Sequence, residues 1–307
     1  MKIGADMRIL LAGGTGFTGE AIARALVRRG VSVRIAGRTR PEWHSGLSPA
    51  EFVRADLTRV EECTPLLEGV DLCIHLASVR ENVQAHCERS NHFVRGNLAL
   101  SLPLLEALEQ RPDLPVVFVS SANISPDLTV EDAMEGQPVD GYVLGKLLCE
   151  KVWRSFSLQR RTPLLVVRPV GIYGPGDRAG PGANVIPALM DRAKDVHDTL
   201  AVWGSGQQKR SFLFAEDFAE AILRLIEADV TGIQYIAPPE VVTIERLAGM
   251  IRDIVHPGLP LSFDPSAASG AAELSLAPSH SVLHSLAWTP LLEGLRRTWE
   301  WRIRSSI

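Results

Sequence analysis

The sequence is poor in several things. It has four cysteines in 307 residues, Cys63, Cys73, Cys87 and Cys149, with no Cys-x-x-Cys pair and no spacing suited to zinc. That excludes a disulfide framework and leads us to expect reduced thiols in a cytoplasmic compartment. There is little excess charge: the net value is -4 and the two signs are interspersed. The sequence therefore lacks the electrostatic footprint of a protein that binds nucleic acid or an anionic membrane. No apolar run approaches the ~20 residues that span a bilayer, and "MKIGAD" lacks the apolar core of a signal peptide. Because "MRILLAGG" reads as a strand start at Met7, residues 1–6 are expected to be an unstructured extension. Among the histidines, His86, His92, His280 and His284 have no ligand spacing and His75 is expected to pack beside its strand, so no metal is expected. The few aromatics include Trp153, Trp203 and Trp288, which read as packing residues. The expected partner is a small polar molecule.

What is present is an alternating pattern. "RILLAG", "SVRIAG", "EFVRAD", "DLCIHLA", "PVVFVSS" and "PLLVVRPVGIYG" read as strands, separated by segments of helical period such as "GEAIARALVRRG". That order implies crossover helices and a parallel sheet, and the near-continuous apolar runs suit strands buried on both faces. After Gly174 the Gly/Pro-rich "PGDRAGPGANVIP" reads as a loop leading to the helix "NVIPALMDRAKD", where a second lobe starts. "RSFLFAEDFAEAILRLIEAD" reads as a loop feeding an amphipathic helix with Asp217 as its cap, and "TGIQYIA" as a strand returning to the first sheet. Helices over "TIERLAGMIRDIV" and "LEGLRRTWEWRIRS" flank a loop with little pattern. The expected architecture is α/β: a doubly wound parallel sheet over 7–173, rejoined by 211–237, with a smaller interleaved C-terminal lobe of 174–210 and 238–303 that binds substrate.

Gly13-x-x-Gly16-x-x-Gly19 follows a strand and opens a helix, the context in which a glycine pattern marks a dinucleotide site. Gly13 permits the tight turn, Gly16 the approach of a pyrophosphate, and Gly19 close packing of the helix, whose first amides face the phosphates. Thr15, Phe17 and Thr18 complete the turn. An Asp or Glu about 20 residues further on would accept from the ribose hydroxyls of NAD, whereas a 2'-phosphate calls for Arg. The second strand ends "IAGRTR", with Gly37 where the acid is expected and Arg38 after it. NADP is expected, with NAD as the alternative. Asp56, followed by Leu57, reads equally as a partner of the adenine amino group and as a helix cap.

"GYVLGKLLCEKVW" puts Tyr142 and Lys146 one helical turn apart on one face. A free phenol titrates near ~10, and a neighbouring ammonium would lower it into a useful range for proton exchange. Ser121, at the carboxyl end of "VFVSSANIS", stands where ligands sit in open parallel sheets and is expected to hydrogen-bond the reacting oxygen.

Taken with "HLAS" at 75–78, Asn97 in "GNLALSLPLLEAL", "RPVGIYGPGD" at 168–177, "NVIP" at 184–187 and "GSGQQKRSFLFAEDFAEAI" at 204–222, these motifs run through most of the chain. The sequence resembles the extended short-chain dehydrogenase/reductases of the NAD(P)-dependent epimerase/dehydratase group, the nucleotide-sugar-modifying type. The resemblance implies a Rossmann fold, Tyr142 as general acid/base, Lys146 on the nicotinamide ribose and Ser121 orienting the substrate oxygen together with Ala122 and Asn123. It also implies cofactor contacts at Leu76, Ala77, Ser78, Arg80, Asn97 and Pro169, diphosphate contacts at Asn184 and Arg210, and a homodimer through the Asn97 and Tyr142 helices. The sequence departs from the family pattern at Gly171, where Asn is usual, at Gly145, where Ser is usual, and in "ELSLAPSHSVLHSLAW", which lacks the usual clamping Arg.

The family carries out epimerisation, dehydration and carbonyl reduction. Dehydration needs an acid and base pair after the serine, and "SSANIS" has none. Arg38 favours a net reductase drawing on NADPH, with a nucleotide-activated 4-keto sugar as the expected substrate. A nucleotide-sugar 4-epimerase, a reductase of a non-sugar secondary-metabolite ketone and a non-catalytic NADP-sensing protein remain as alternatives.

Overall fold

The structure is a computed structural model that describes residues 2–47, 50–136, 138–177, 180, 183–266 and 273–305. Parts of the Gly/Pro-rich loop (178, 179, 181, 182) and of the loop between the last two helices (267–272) lie outside the described residues.

The apolar runs form strands β1 (Arg8–Ala12), β2 (Ser32–Gly37), β3 (Glu51–Arg54), β4 (Leu72–His75), β5 (Val116–Val119) and β6 (Leu164–Pro169). With the strand Gly232–Ile236 they make a seven-stranded parallel sheet in the order Gly232–Ile236, β6, β5, β4, β1, β2, β3. The twofold period of a strand splits β1 between two cores: Ile9 and Leu11 face one, Leu10 and Ala12 the other. On the first face the helices Phe17–Arg28 and Ala215–Glu227 cover the sheet; on the second, Ser90–Leu108 and Gly141–Arg160 do. This is the doubly wound fold expected from the pattern. Strand order reverses between β1 and β4, and crevices of such sheets open there, beyond the carboxyl ends.

A third core, holding Tyr173, Met190, Phe214, Leu247 and Leu295, lies outside the large sheet. Three two-stranded sheets attend it: Gly171–Tyr173 with Phe212–Phe214, Leu200–Trp203 with Leu261–Asp264, and Lys209–Arg210 with Val242–Thr243. The run "PLLVVRPVGIYG" is thus two strands. Pro169 has no N–H for the ladder, and the chain leaves the sheet after it to pair with a segment expected to be loop.

Two local expectations change. Ile3 packs on the first core and the Met7 N–H donates to the Gly4 carbonyl, so the start of the described chain is a packed turn. Asp217 lies inside its helix, whose N-cap is Phe214; its carboxylate instead accepts from the N–H (2.7 Å) and hydroxyl (2.9 Å) of Thr289. It ties the C-terminal segment to the sheet domain. Among the described residues, no helix is long and apolar enough to cross a membrane.

Candidate active site

The glycine turn is shaped by backbone contact. Gly13 has φ +77°, and a Cβ there would stand 2.5 Å from the Ala77 Cα; a Cβ on Gly19 would stand 2.1 Å from the Gly14 carbonyl oxygen. Gly19 therefore lets the helix close on its own loop. A Cβ on Gly16 would meet nothing within 4 Å, so this residue borders open space. Gly16 is also the N-cap of the Phe17–Arg28 helix and supplies no side-chain acceptor to its first amides. Free amides beside an open backbone fit a pyrophosphate.

At the end of β2 the position of the missing carboxylate is crowded. A Cβ at Gly37 would lie 2.5 Å from Cγ2 of Thr15, so a side chain there would have to displace that of Thr15. Arg38 is exposed next to it. Asp56 accepts at one oxygen from the Thr58 N–H and hydroxyl (3.0 and 2.8 Å), which with Arg38 hold its carboxyl below the usual carboxylate range. It closes a turn, while Arg59 is the N-cap of the helix that follows. The Leu57 side chain is buried in the second core.

The helix Gly141–Arg160 starts at Asp140, whose carboxylate accepts from the N–H groups of Tyr142 and Val143 (2.9 and 3.0 Å). It packs so closely on Ser90–Leu108 that a Cβ at Gly141 would stand 2.1 Å from the Ser90 carbonyl oxygen and one at Gly145 3.0 Å from that of Phe93. This contact explains glycine at 145. Lys146 is buried, its Nζ donates to the Val119 carbonyl (2.9 Å), and burial pushes its pKa down to about 8. Tyr142 is buried as well, and here the expectation is corrected. Desolvation raises the phenol above its ordinary value, against the opposing pull of Arg80 and of hydrogen bonds with Ser121 and Ser78. The phenol is therefore an acid at neutral pH.

The neighbouring groups are locked from behind. Glu150, two turns along the same helix face, accepts from Ser120 Oγ (2.5 Å) and is held by Arg168 through Nε (2.9 Å) and Nη2 (2.6 Å). Arg168 also donates to the Tyr235 hydroxyl (2.6 Å), which donates to the Ile124 carbonyl (2.6 Å). This buried chain joins β5, β6, the returning strand and the Tyr142 helix around Ser121. Asn97 spends its amide inside the protein, accepting from Ser78 Oγ and the Val79 N–H and donating to the Val79 and Phe93 carbonyls. It clamps the loop after β4.

A cavity of about 830 Å³ opens over Tyr142. It brings together Phe17, Thr18, Leu76, Ser78, Arg80, Ser121, Asn123, Lys146, Pro169, Asn184 and Arg210. Ala122 is buried in the first core, and Ala77 packs against Gly13; neither lines the cavity. Asn184 is the N-cap of Val185–Asp195 without a capping bond; its Oδ1 accepts from Arg80 (2.5 Å), which joins the two halves of the cleft. Beside it Asp177 is buried, and desolvation pushes its pKa up to about 6. The lining residues that sequence patterns missed include Trp203, Arg192, Gln208 and His86. Trp203, expected in a core, is 45% exposed, because Leu200 and Val202 take the inward positions of its strand. Arg192 lies over its ring at 5.3 Å, Gln208 holds a buried unpartnered carbonyl oxygen, and His86 stacks on Tyr142. Trp203, Arg192 and His86 belong to no motif, and Gln208 lies in the quoted 204–222 stretch as an ordinary polar residue. Among the described residues, no group of three or more His, Cys, Asp or Glu is arranged to hold a metal.

A family model, the NAD dependent epimerase/dehydratase family, matches residues 9–237. The chain is 30% identical to a dTDP-4-dehydro-6-deoxy-D-allose reductase of a Streptomyces species, over 97% of this chain and 96% of that protein. It is 29% identical to GDP-mannose 3,5-epimerase of Arabidopsis thaliana, over 96% of this chain and 82% of that protein. Among solved structures, UDP-glucose 4-epimerase of Thermotoga maritima with UDP-glucose superposes with a TM-score of 0.82 at 21% identity, covering 98% and 100% of the two chains.

Proposed function

The chain belongs to the NAD dependent epimerase/dehydratase family, and from that premise we propose that it reduces the keto group of a nucleotide-activated 4-keto sugar with NADPH. The observation that carries this choice is the phenol of Tyr142, buried beside Ser121 and held in its acid form. Reduction consumes that proton. A cycle that begins by oxidising an alcohol needs the phenolate instead, and burial works against it. The similarity to a reductase of a dTDP-linked 4-keto sugar supports the substrate class.

When bound, the nicotinamide supplies a hydride to the carbonyl carbon. The chain's own residues then have separate tasks. Tyr142 gives its proton to the substrate oxygen, Ser121 hydrogen-bonds that oxygen as negative charge develops, and Lys146 presents an ammonium anchored on the Val119 carbonyl. Gly13, Gly16 and Gly19 would receive the pyrophosphate, with Thr15, Phe17 and Thr18 around it. Arg38 would pair with the 2'-phosphate at the end of β2, where Gly37 brings no competing carboxylate. Arg210, Asn184, Arg192 and Trp203 offer cations, an amide and an aromatic face to a nucleoside diphosphate at the far end of the cavity.

The test is loss of nicotinamide absorbance with dTDP- and GDP-linked 4-keto-6-deoxy sugars and with simple aromatic ketones. Turnover of a nucleotide-linked ketone, reduced by roughly 10³-fold in Tyr142→Phe with NADPH binding retained, supports the proposal. Interconversion of 4-epimers without net NADPH consumption identifies an epimerase. Turnover of unlinked ketones alone identifies a secondary-metabolite reductase, and tight NADPH binding without any turnover identifies a sensor.

A further inference from the structure

His86 has no part in the chemistry above, yet it touches the proton donor. Its ring lies against that of Tyr142, with centroids 4.8 Å apart and planes at 19°, and Phe93 meets it edge-on at 4.7 Å. Only 5% of the residue is exposed. Its Nε2 accepts from the backbone N–H of Glu81 (3.1 Å), so the ring proton belongs on Nδ1, which faces Asp140 Oδ1 at 3.6 Å. Asp140 is the cap that starts the Tyr142 helix. Glu81 follows Arg80, which acts electrostatically on the phenol and reaches across the cavity to Asn184. One imidazole thus joins the phenol, the start of its helix and the loop carrying the cleft's bridging cation.

We propose that His86 is a positioning residue for the reduction: as the neutral Nδ1–H tautomer it braces the Tyr142 ring and, through Glu81, holds Arg80 over the cavity. The proposal rests on Tyr142 being the proton donor. The tautomer matters because a protonated Nε2 would point a donor at the Glu81 N–H, and two donors cannot share that 3.1 Å contact.

Two variants separate the parts. His86→Gln keeps an acceptor for Glu81 but does not stack; His86→Phe keeps the stack and removes the acceptor. His86→Gln should lower kcat roughly tenfold with KM little changed, through a looser phenol. His86→Phe should raise KM more than it lowers kcat, through a looser Arg80 loop. Kinetics equal to wild type in both variants overturn the proposal. A second readout does not depend on turnover. The chain has three tyrosines, so subtracting Tyr142→Phe from the tyrosinate absorbance titration isolates Tyr142. His86→Gln should let that phenol ionise about one pH unit lower, by admitting water, and His86→Phe should not. No shift in His86→Gln overturns the brace even if no ketone is turned over and the reductase proposal has failed.

Discussion

The glycine turn at 13–19 and the cleft wall that runs from Arg80 through Asn184 to Arg210 face the same ligand space, but they are built differently. The turn is made of backbone packed on backbone: Gly13 against Ala77, Gly19 against Gly14, with Gly16 left open. The wall is made of side chains that converge from distant segments. Arg80 and Asn184 are 104 residues apart, Arg168 and Tyr235 67, Ser120 and Glu150 30. A backbone contact demands one residue type, because any Cβ is too much. A side-chain contact can be made by many types and tolerates exchange until a buried charge is left alone.

The largest effect should come from breaking the buried pair that locks the site from behind. Glu150→Gln leaves Arg168 charged, nearly fully buried and without its carboxylate, and denaturant unfolding should show a loss of about 3–5 kcal/mol. A loss below 1 kcal/mol would mean that the Ile124 and Ser125 carbonyls and the Tyr235 hydroxyl alone satisfy the guanidinium.

Within the turn, Gly19→Ala forces a methyl onto the Gly14 carbonyl and should cost roughly 2–3 kcal/mol of stability. Gly16→Ala should unfold at the wild-type midpoint, having nothing to collide with in the protein, but should weaken NADPH binding at least tenfold. If both alanines behave alike, the distinction between a packing glycine and a ligand-facing one is wrong.

Asp177 tests the wall by pH. Burial raises its folded-state pKa to about 6, against about 3.9 for an aspartate in an unfolded chain. The folded protein thus keeps a proton that the unfolded chain has lost, and stability falls as pH rises from about 4 through 6. Asp177→Asn removes that penalty. It should gain about 2–3 kcal/mol at pH 7.5, nothing near pH 4, and flatten the slope between. The smallest expected effect is at Arg38, a single exposed cation. Arg38→Asp should shift the NADPH to NADH preference by about tenfold, roughly 1.4 kcal/mol, without changing stability.

The same division explains how much was legible beforehand. The strands of the large sheet and the crossover helices follow from apolar runs and helical period, which act within one segment. Tyr142 and Lys146 share a face because four residues make a turn, and the structure keeps them there. The break at Pro169, by contrast, depended on the arrival of Phe212–Phe214 as a pairing partner. Asp217 looked like a cap because its partner Thr289 is 72 residues away. Trp203 looked like core because composition does not say which side of a short strand faces the lobe.

The phenol is the sharpest case. Four-residue spacing alone suggested an ammonium lowering its pKa, but Lys146 is turned to the Val119 carbonyl and burial prevails. By itself the sequence determined the sheet, the glycine turn, the absence of an acid at position 37 and the one-turn spacing of Tyr142 and Lys146, since these follow from local geometry and residue type. Only the tertiary structure decided the charge state of the phenol, the Arg80–Asn184 bridge and the place of His86. Desolvation and side-chain convergence depend on which distant surfaces meet, and no local pattern encodes that.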